Sequence, residues 1–190
     1  GLLALVEKDK EKNALTTIGL NVWEVEGDAP FDIEKSVFSQ RKTVSISSNY
    51  NKPLVALRKP AWTIGFHETK HEPVLPSGLY MAHLKAVSSH IICAEVAPSR
   101  SQASVDNDLH KSRFRHIRKF WSETERAFRD GQAQIAAETA TPLDDAVPKI
   151  LKELRSNRVE NAAKRGGISF RFKTNDRRVH TVPDRFGNIV

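Results

Sequence analysis

Cysteine is almost absent from this chain, because Cys93 is the only one in 190 residues. A single thiol excludes an internal disulfide framework and a cysteine-based zinc cluster. Long apolar runs are missing too, and no stretch approaches the roughly 18–20 residues that a membrane-spanning helix needs. This usage fits a reducing compartment, so we expect a cytoplasmic protein without a membrane span.

Several catalytic fingerprints are also missing. The chain has no Gly-x-Gly-x-x-Gly or phosphate-binding loop, no Gly-x-Ser-x-Gly elbow and no His-Glu-x-x-His zinc motif. Its one glycine pair, 166–167, follows Lys164 and Arg165 without a preceding strand. Cys93 lies in an apolar run, which is typical of a small buried residue rather than a nucleophile.

The remaining composition is that of an ordinary globular protein, with 39% hydrophobic and 28% charged residues. A net charge of +7 weakly favours anionic partners such as nucleic acid, lipid head groups or phosphorylated ligands. The chain starts at Gly1, with the apolar face of a helix already under way. We therefore expect either a fragment of a longer protein or a trimmed chain.

Apolar periodicity predicts an α/β fold in which a small mixed sheet, at about residues 16–87, has flanking helices. A helical C-terminal extension follows, and we expect Phe186 in the tail to dock. The predicted domains are residues 1–98 and a basic extension over residues 99–190. Residues 79–87 are either a strand or the start of a helix. The other predicted elements are strands at 16–26, 43–47, 54–57, 62–66 and 168–172, and helices at 32–38, about 106–131 and 144–158.

Potential chemistry is concentrated in residues 53–87, where a polar loop at 67–78 lies between two apolar runs. His67 and His71 lie in this loop, and His83 lies within the second run. Imidazole nitrogen is a suitable ligand for zinc or manganese-type ions. A lone histidine is, however, more often a surface residue or a hydrogen-bonded core residue. The residues alone leave both roles open.

A basic segment at residues 109–129 gives a second hypothesis. Basic side chains neutralise phosphates, so this predicted helix is a candidate for binding nucleic acid or an acidic partner in a non-enzymatic module. Its Phe114 and Trp121 fall on the apolar stripe, where they would pack into a core. A solvated basic face is therefore the simpler interpretation. The basic residues are Lys111, Arg113, Arg115, His116, Arg118 and Lys119.

Five short motifs follow one another in the first 90 residues. They are Gly-Leu-Asn-Val at 19–22, Ser-Gln-Arg-Lys at 39–42, Asn-Lys-Pro-Leu-Val at 51–55, Gly-Phe-His at 65–67 and Leu-Tyr-Met-Ala-His-Leu-Lys at 79–85. In this order they resemble the C-terminal portion of bacterial family-two-like nucleotide-sugar glycosyltransferases. The resemblance covers about residues 1–90 and does not extend to the basic segment.

This resemblance implies part of a nucleotide-diphospho-sugar transferase fold, whose catalytic half would lie N-terminal to Gly1. It implies a nucleotide-sugar donor, an acceptor and a divalent cation, Mn or Mg. His67 would contact the metal or the diphosphate, with His83 as its companion. The chain departs from the family in lacking a convincing Asp-x-Asp motif and an obvious base. The remaining implied contacts are donor phosphate at Lys52, Arg58 and Lys59, and the sugar at Trp62 or Tyr80.

Overall fold

The computed structural model describes residues 14–56, 68–88, 140–161, 167–172 and 179–188, which form a mixed α/β fold. Two short 3-10 helices, Ser48–Tyr50 and Asp184–Asn188, accompany the longer elements. The strands and helices, in chain order, are β1 (Ala14–Thr16), β2 (Ile18–Trp23), α1 (Val37–Gln40), β3 (Thr43–Ile46), β4 (Pro53–Ala56), β5 (Pro73–Val74), β6 (Tyr80–Ala86), β7 (Thr141–Pro142), α2 (Leu143–Ser156), β8 (Arg158–Asn161), β9 (Gly167–Phe170) and β10 (Val179–Thr181).

A five-stranded mixed sheet with the order β6-β2-β3-β10-β7 is the central layer. Strand β3 is antiparallel to β2 and to β10, whereas β6 runs parallel to β2 and β7 runs parallel to β10. A three-stranded sheet has the order β4-β1-β5, and β8 and β9 form an antiparallel pair. The mixed sheet predicted from the sequence is therefore present.

The core lies between one face of the central sheet and α2. Ile18, Leu20 and Val22 alternate along β2 and are fully buried. Helix α2 meets them with residues spaced three to four apart, which is the spacing of one helical face. Its predicted position, 144–158, agrees closely with the observed helix. The buried residues of α2 are Leu143, Val147, Ile150, Leu151 and Leu154.

The C-terminal tail packs into the same core. Phe186 is buried, and its ring meets those of Phe38 and Tyr80 edge-on, at centroid distances of 5.6 and 5.5 Å. The predicted docking of Phe186 is therefore confirmed. Residues from both sides of the predicted domain boundary share this core, although the boundary itself, at residues 98 and 99, lies outside the described residues.

Strands also contribute to the C-terminal part, where the sequence predicted a mainly helical extension. Four strands, β7 to β10, accompany α2 there, and β10 pairs with β3 in the central sheet. The predicted basic helix at about 106–131 lies outside the described residues. Within the described ranges, no helix is long and apolar enough to cross a membrane.

Local hydrogen bonding explains where some elements differ from their predicted limits. The strand expected at 16–26 corresponds to β2, which ends at Trp23, and Thr16 belongs to β1. The helix expected at 32–38 begins only at Val37, because Asp32 forms a turn: it accepts hydrogen bonds from the main chain of Glu34 and Lys35. Residues 79–87, open to either structure, contain a strand, and the expected loop at 67–78 includes the short β5. The expected strand at 62–66 lies outside the described residues.

Arg41 holds the start of β3 to the loop that follows β2. Its guanidinium is fully buried and donates hydrogen bonds to the carbonyl oxygens of Val87 (2.8 Å) and Ala29 (3.0 Å). The carboxylates of Glu24 and Asp28 lie 3.4 and 3.6 Å away and balance its charge. A buried guanidinium requires such partners, since an unpaired buried charge is very costly. Within the Ser-Gln-Arg-Lys motif at 39–42, Arg41 therefore has a structural role.

Candidate functional site

The central sheet has a second face that is polar and aromatic. Side chains alternate along a strand, so Gly19, Asn21 and Trp23 lie opposite the buried apolar residues of β2. His83 on β6 is the direct cross-strand partner of Asn21. Chemistry-bearing residues from two neighbouring strands therefore meet on the face that is turned away from α2.

Asn21 and Tyr50 hold the imidazole of His83 from two directions. The Nδ1 atom of His83 lies 3.1 Å from Oδ1 of Asn21, which is hydrogen-bonding distance. The Tyr50 ring stacks on the imidazole with a centroid distance of 3.8 Å and an interplanar angle of 17°. All three residues are partly buried. Burial raises the pKa of the Tyr50 phenol, so this side chain is a neutral hydroxyl at physiological pH.

Tyr50 reaches this position because Gly19 has no side chain. A Cβ atom at Gly19 would lie 2.5 Å from Cβ of Tyr50 and 2.7 Å from the carbonyl oxygen of Ser47. Both distances are shorter than real Cβ contacts, so the 3-10 helix Ser48–Tyr50 could not rest on β2. Glycine here permits a close approach between two backbones.

Asn51 fixes the end of the same 3-10 helix. Its buried Oδ1 accepts a hydrogen bond from the Gly19 amide at 2.9 Å, and its Nδ2 donates to the Phe170 carbonyl at 3.2 Å. The side chain thus continues the hydrogen bonding of β2 beyond the end of β3 and joins it to β9. Tyr50 is the preceding residue, so these hydrogen bonds also fix the position of its backbone.

Trp23 and Ser45 extend the polar face along β2 and β3. The indole Nε1 of Trp23 donates a hydrogen bond to Oγ of Ser45 at 2.8 Å, and Ser45 is the cross-strand partner of Asn21. We call the set Asn21, Trp23, Ser45, Tyr50 and His83 the polar face. It combines two aromatic rings with an amide, a hydroxyl and an imidazole.

Arg171 supplies a positive charge that contacts the 3-10 helix Ser48–Tyr50. Arg171 follows β9, and its Nη1 donates a hydrogen bond at 3.0 Å to Oδ1 of Asn49, the neighbour of Tyr50. The guanidinium lies 3.9 Å from Glu68, whose carboxylate is buried, while the Arg171 side chain keeps 30% of its exposure. Arg171 is therefore a partly accessible cation that contacts Asn49, the residue before Tyr50.

Two residues expected to share a site lie apart. Tyr80 and His83 are three residues apart on β6, so they lie on opposite faces of the strand. Tyr80 packs against the main core and Phe186, whereas His83 contacts Asn21 and Tyr50. Burial is the main cause that raises the pKa of Tyr80, with a further contribution from nearby Asp144. The structure does not bring Tyr80 to the polar face.

The other predicted site residues are only partly described. Lys52 lies just before β4, where its carbonyl oxygen accepts a hydrogen bond from the Thr17 amide at 2.9 Å. Its predicted role in phosphate binding stays a prediction. The same holds for the remaining candidates, which lie outside the described residues: Arg58, Lys59, Trp62 and His67.

The predicted divalent cation finds few ligands among the described residues. In the ranges given above, no three His, Cys, Asp or Glu side chains come together in a group that could hold a metal ion. His83 is one nitrogen ligand at most, because its Nδ1 faces Asn21. The described residues alone therefore do not fit a metal site. A cation near His83 would need further ligands from other parts of the protein, such as His67.

No family model matches the chain, and comparison with curated proteins and with solved structures gives no match. The resemblance to glycosyltransferases thus rests on the five sequence motifs. Four of the five lie within the described residues: at β2, between α1 and β3, at the start of β4 and on β6. The fifth, Gly-Phe-His at 65–67, lies outside them.

Sequence reasoning identified His83 but missed its neighbours. Asn21 and Trp23 alternate with the core residues of β2, and this period of two is a signal that polar and aromatic residues share a second face. Tyr50 had no such signal, since the Ser and Asn residues around it indicate only a turn. Its contact with His83 depends on how the 3-10 helix rests on Gly19.

Proposed function

We propose that this chain belongs to a nucleotide-sugar glycosyltransferase-like protein and that its polar face binds the sugar of the donor. The order of the five motifs supports the class. The stacked Tyr50–His83 pair, in which His83 is hydrogen-bonded to Asn21, supports the location of the binding site. It lies where two of the motifs, at 19–22 and 79–85, run side by side in parallel strands.

The side chains of the polar face match the chemistry of a sugar. A sugar ring has apolar C–H surfaces, which pack on aromatic rings, and hydroxyl groups, which need both donors and acceptors. Trp23 and Tyr50 supply the rings. Asn21, His83 and the neutral Tyr50 hydroxyl supply the polar groups. A mixed surface of this kind is typical of sites that bind small polar ligands.

The charges around the face match the rest of a nucleotide sugar. Arg171 donates a hydrogen bond to Asn49, the residue before Tyr50. A guanidinium pairs well with phosphate oxygens. We propose that Arg171, together with Lys52, attracts the diphosphate. Arg58 and Lys59 remain candidates for the same role.

We include the divalent cation in the same proposal. His67 is its expected ligand, and the remaining metal ligands would lie outside the described residues. A metal bound there would offset the negative charge of the leaving diphosphate. The described residues would bind and orient the donor. Catalytic acids or bases would come from outside the described residues.

Calorimetric titration of the full-length protein tests this proposal. A panel of nucleotide sugars is added in the presence of Mn²⁺, to the wild type and to His83→Ala and His71→Ala variants. Losing one hydrogen bond costs about 1 kcal/mol, so His83→Ala should weaken binding of the preferred donor roughly fivefold. The matched control His71→Ala, which changes a loop histidine, should leave the affinity unchanged.

Two results would contradict the proposal: no binding of any donor, or equal effects of the two histidine variants. The basic segment at 109–129 supplies the competing outcome. Salt-dependent retention on immobilised nucleic acid, lost when Arg113, Arg115 and Arg118 are changed to Glu, would indicate a non-enzymatic binding module instead.

A further inference from the structure

We propose that strand β8 pairs edge to edge with β8 of a second copy of this chain, in an antiparallel register centred on Val159. The resulting homodimer goes beyond the function proposed above and does not depend on it. Three features of β8 support it: the direction of its main-chain groups, the exposure of its side chains and the order of their charges.

The main-chain groups of Arg158 and Glu160 point to the outer edge of β8. In an antiparallel pair, only every second residue directs its N–H and C=O groups to the neighbouring strand. The Arg171 amide donates a hydrogen bond to the Asn157 carbonyl at 3.3 Å, in the register that pairs β8 with β9. Two residues further on, Val159 therefore faces β9. Its neighbours on either side, Arg158 and Glu160, face outwards.

Hydrogen bonding on the other side of β9 agrees with this alternation. Ile168 is the cross-strand partner of Glu160, but it exchanges its main-chain hydrogen bonds with Thr69, at 2.8 and 3.3 Å. Ile168 thus directs these groups away from β8. In the part of the chain that the structure describes, β9 is the only strand paired with β8. An open sheet edge is a template for pairing with another chain.

The side chains along this edge are accessible. Arg158, Val159 and Glu160 are all exposed, and Val159 keeps 42% of its exposure although it is apolar. Glu72 holds the Arg158 guanidinium through Nε (3.1 Å) and Nη2 (2.7 Å). The third nitrogen, Nη1, lies 3.8 Å from the Glu160 carboxylate, which is beyond hydrogen-bonding distance. It therefore keeps its capacity to donate to a carboxylate of another chain.

The order of the charges identifies a second copy as the partner. Edge pairing places outward-facing residues opposite one another. A two-fold axis at Val159 puts each Arg158 opposite Glu160 of the other copy, and both pairs exchange main-chain hydrogen bonds. It also brings the two Val159 side chains together. Registers centred on Arg158 or on Glu160 would instead put like charges directly opposite each other, which is destabilising.

Sedimentation equilibrium of the full-length protein tests the dimer. The range runs from roughly 1 µM to 1 mM, since a short edge predicts weak association. Glu160→Arg and Arg158→Glu each put like charges opposite each other at both pairs, so each should raise the Kd of the dimer about tenfold or more. Glu34→Arg and Lys35→Glu make the same charge changes at exposed positions before α1. These controls should leave the Kd unchanged.

Mixing the two interface variants tests the register. In an equimolar mixture of Glu160→Arg and Arg158→Glu, every outward-facing arginine lies opposite a glutamate of the other variant. The mixture should therefore contain dimers at concentrations at which each variant alone is a monomer. Neither variant can regain opposite charges by pairing with itself.

Three results would overturn the proposal: a wild type that stays monomeric throughout the concentration range, a dimer that the two charge variants leave intact, or a mixture that does not associate. Circular dichroism shows whether each variant is folded. If Arg158→Glu is unfolded because it loses the contact with Glu72, Val159→Lys decides instead. It puts two like charges at the two-fold axis and should also weaken the dimer, and an unchanged Kd would equally overturn the proposal.

Discussion

The imidazole of His83 lies flat against the phenol ring of Tyr50, with ring centroids 3.8 Å apart and planes inclined by 17°. The two residues belong to different elements, β6 and the 3-10 helix Ser48–Tyr50. Their contact crosses β2 at Gly19 and Asn21, so four residues from three elements depend on one another. The stability of this arrangement can be tested separately from any ligand.

Gly19→Ala should destabilise the protein. The added methyl group would lie 2.5 to 2.7 Å from atoms of Tyr50 and Ser47, and the nearest backbone must move. Overpacking of this kind costs about 1–3 kcal/mol in the free energy of unfolding. Denaturation in urea measures it. Gly187→Ala is the control, because its new methyl group would meet atoms no closer than 3.7 Å; equal stability of the two variants would contradict the close approach at Gly19.

Removing the Arg41 side chain should have a larger effect. Arg41→Ala leaves buried carbonyl oxygens without their donor and the carboxylates of Glu24 and Asp28 without their cation. We expect a loss of roughly 3 kcal/mol or more in the free energy of unfolding. Lys42→Ala removes the exposed ion pair with Asp184 and should cost less than about 1 kcal/mol. If both variants unfold at the same urea concentration, the structural role assigned to Arg41 is wrong.

Tyr50 should make the protein less stable in alkali. Burial raises the pKa of its phenol above the ordinary value of 10.0, so the folded state keeps a proton that the unfolded state releases. The stabilising effect is complete below the ordinary pKa and is lost as the pH rises through the folded-state pKa. Tyr50→Phe has no such proton. As the pH rises above about 10, the urea midpoint of the wild type should therefore fall more steeply than that of the variant; parallel curves would show that Tyr50 is not buried as described.

Much of the fold could be predicted from the sequence, because the regular spacing of apolar residues indicates which face of a strand or helix is buried. Alternation around Leu20 predicted β2, and the three- and four-residue spacing around Ile150 predicted α2. The short β5 was missed because it has only two residues and begins with Pro73, and proline is common in loops. The pairing of β10 with β3 was also missed. A three-residue strand has too little pattern of its own, and its partner is distant in the chain.

The candidate site was less accessible, since it depends on tertiary contacts. His83 was chosen for its imidazole chemistry and from the sequence resemblance, and no local pattern relates it to Tyr50. Tyr80 was expected to line the sugar pocket of the same site, whereas the strand turns Tyr80 and His83 to opposite faces. The predicted roles of His67 and Trp62 stay predictions, because both residues lie outside the described part of the chain.

The central claim is that the polar face binds the sugar of a nucleotide-sugar donor. Saturation-transfer NMR on the full-length protein with its preferred donor measures which ligand protons touch the protein. We predict strong transfer to the protons of the sugar ring, reduced in Tyr50→Leu and retained in Tyr80→Leu, which changes a tyrosine on the opposite face. Transfer confined to the nucleoside protons, or a loss in Tyr80→Leu rather than in Tyr50→Leu, would contradict the claim.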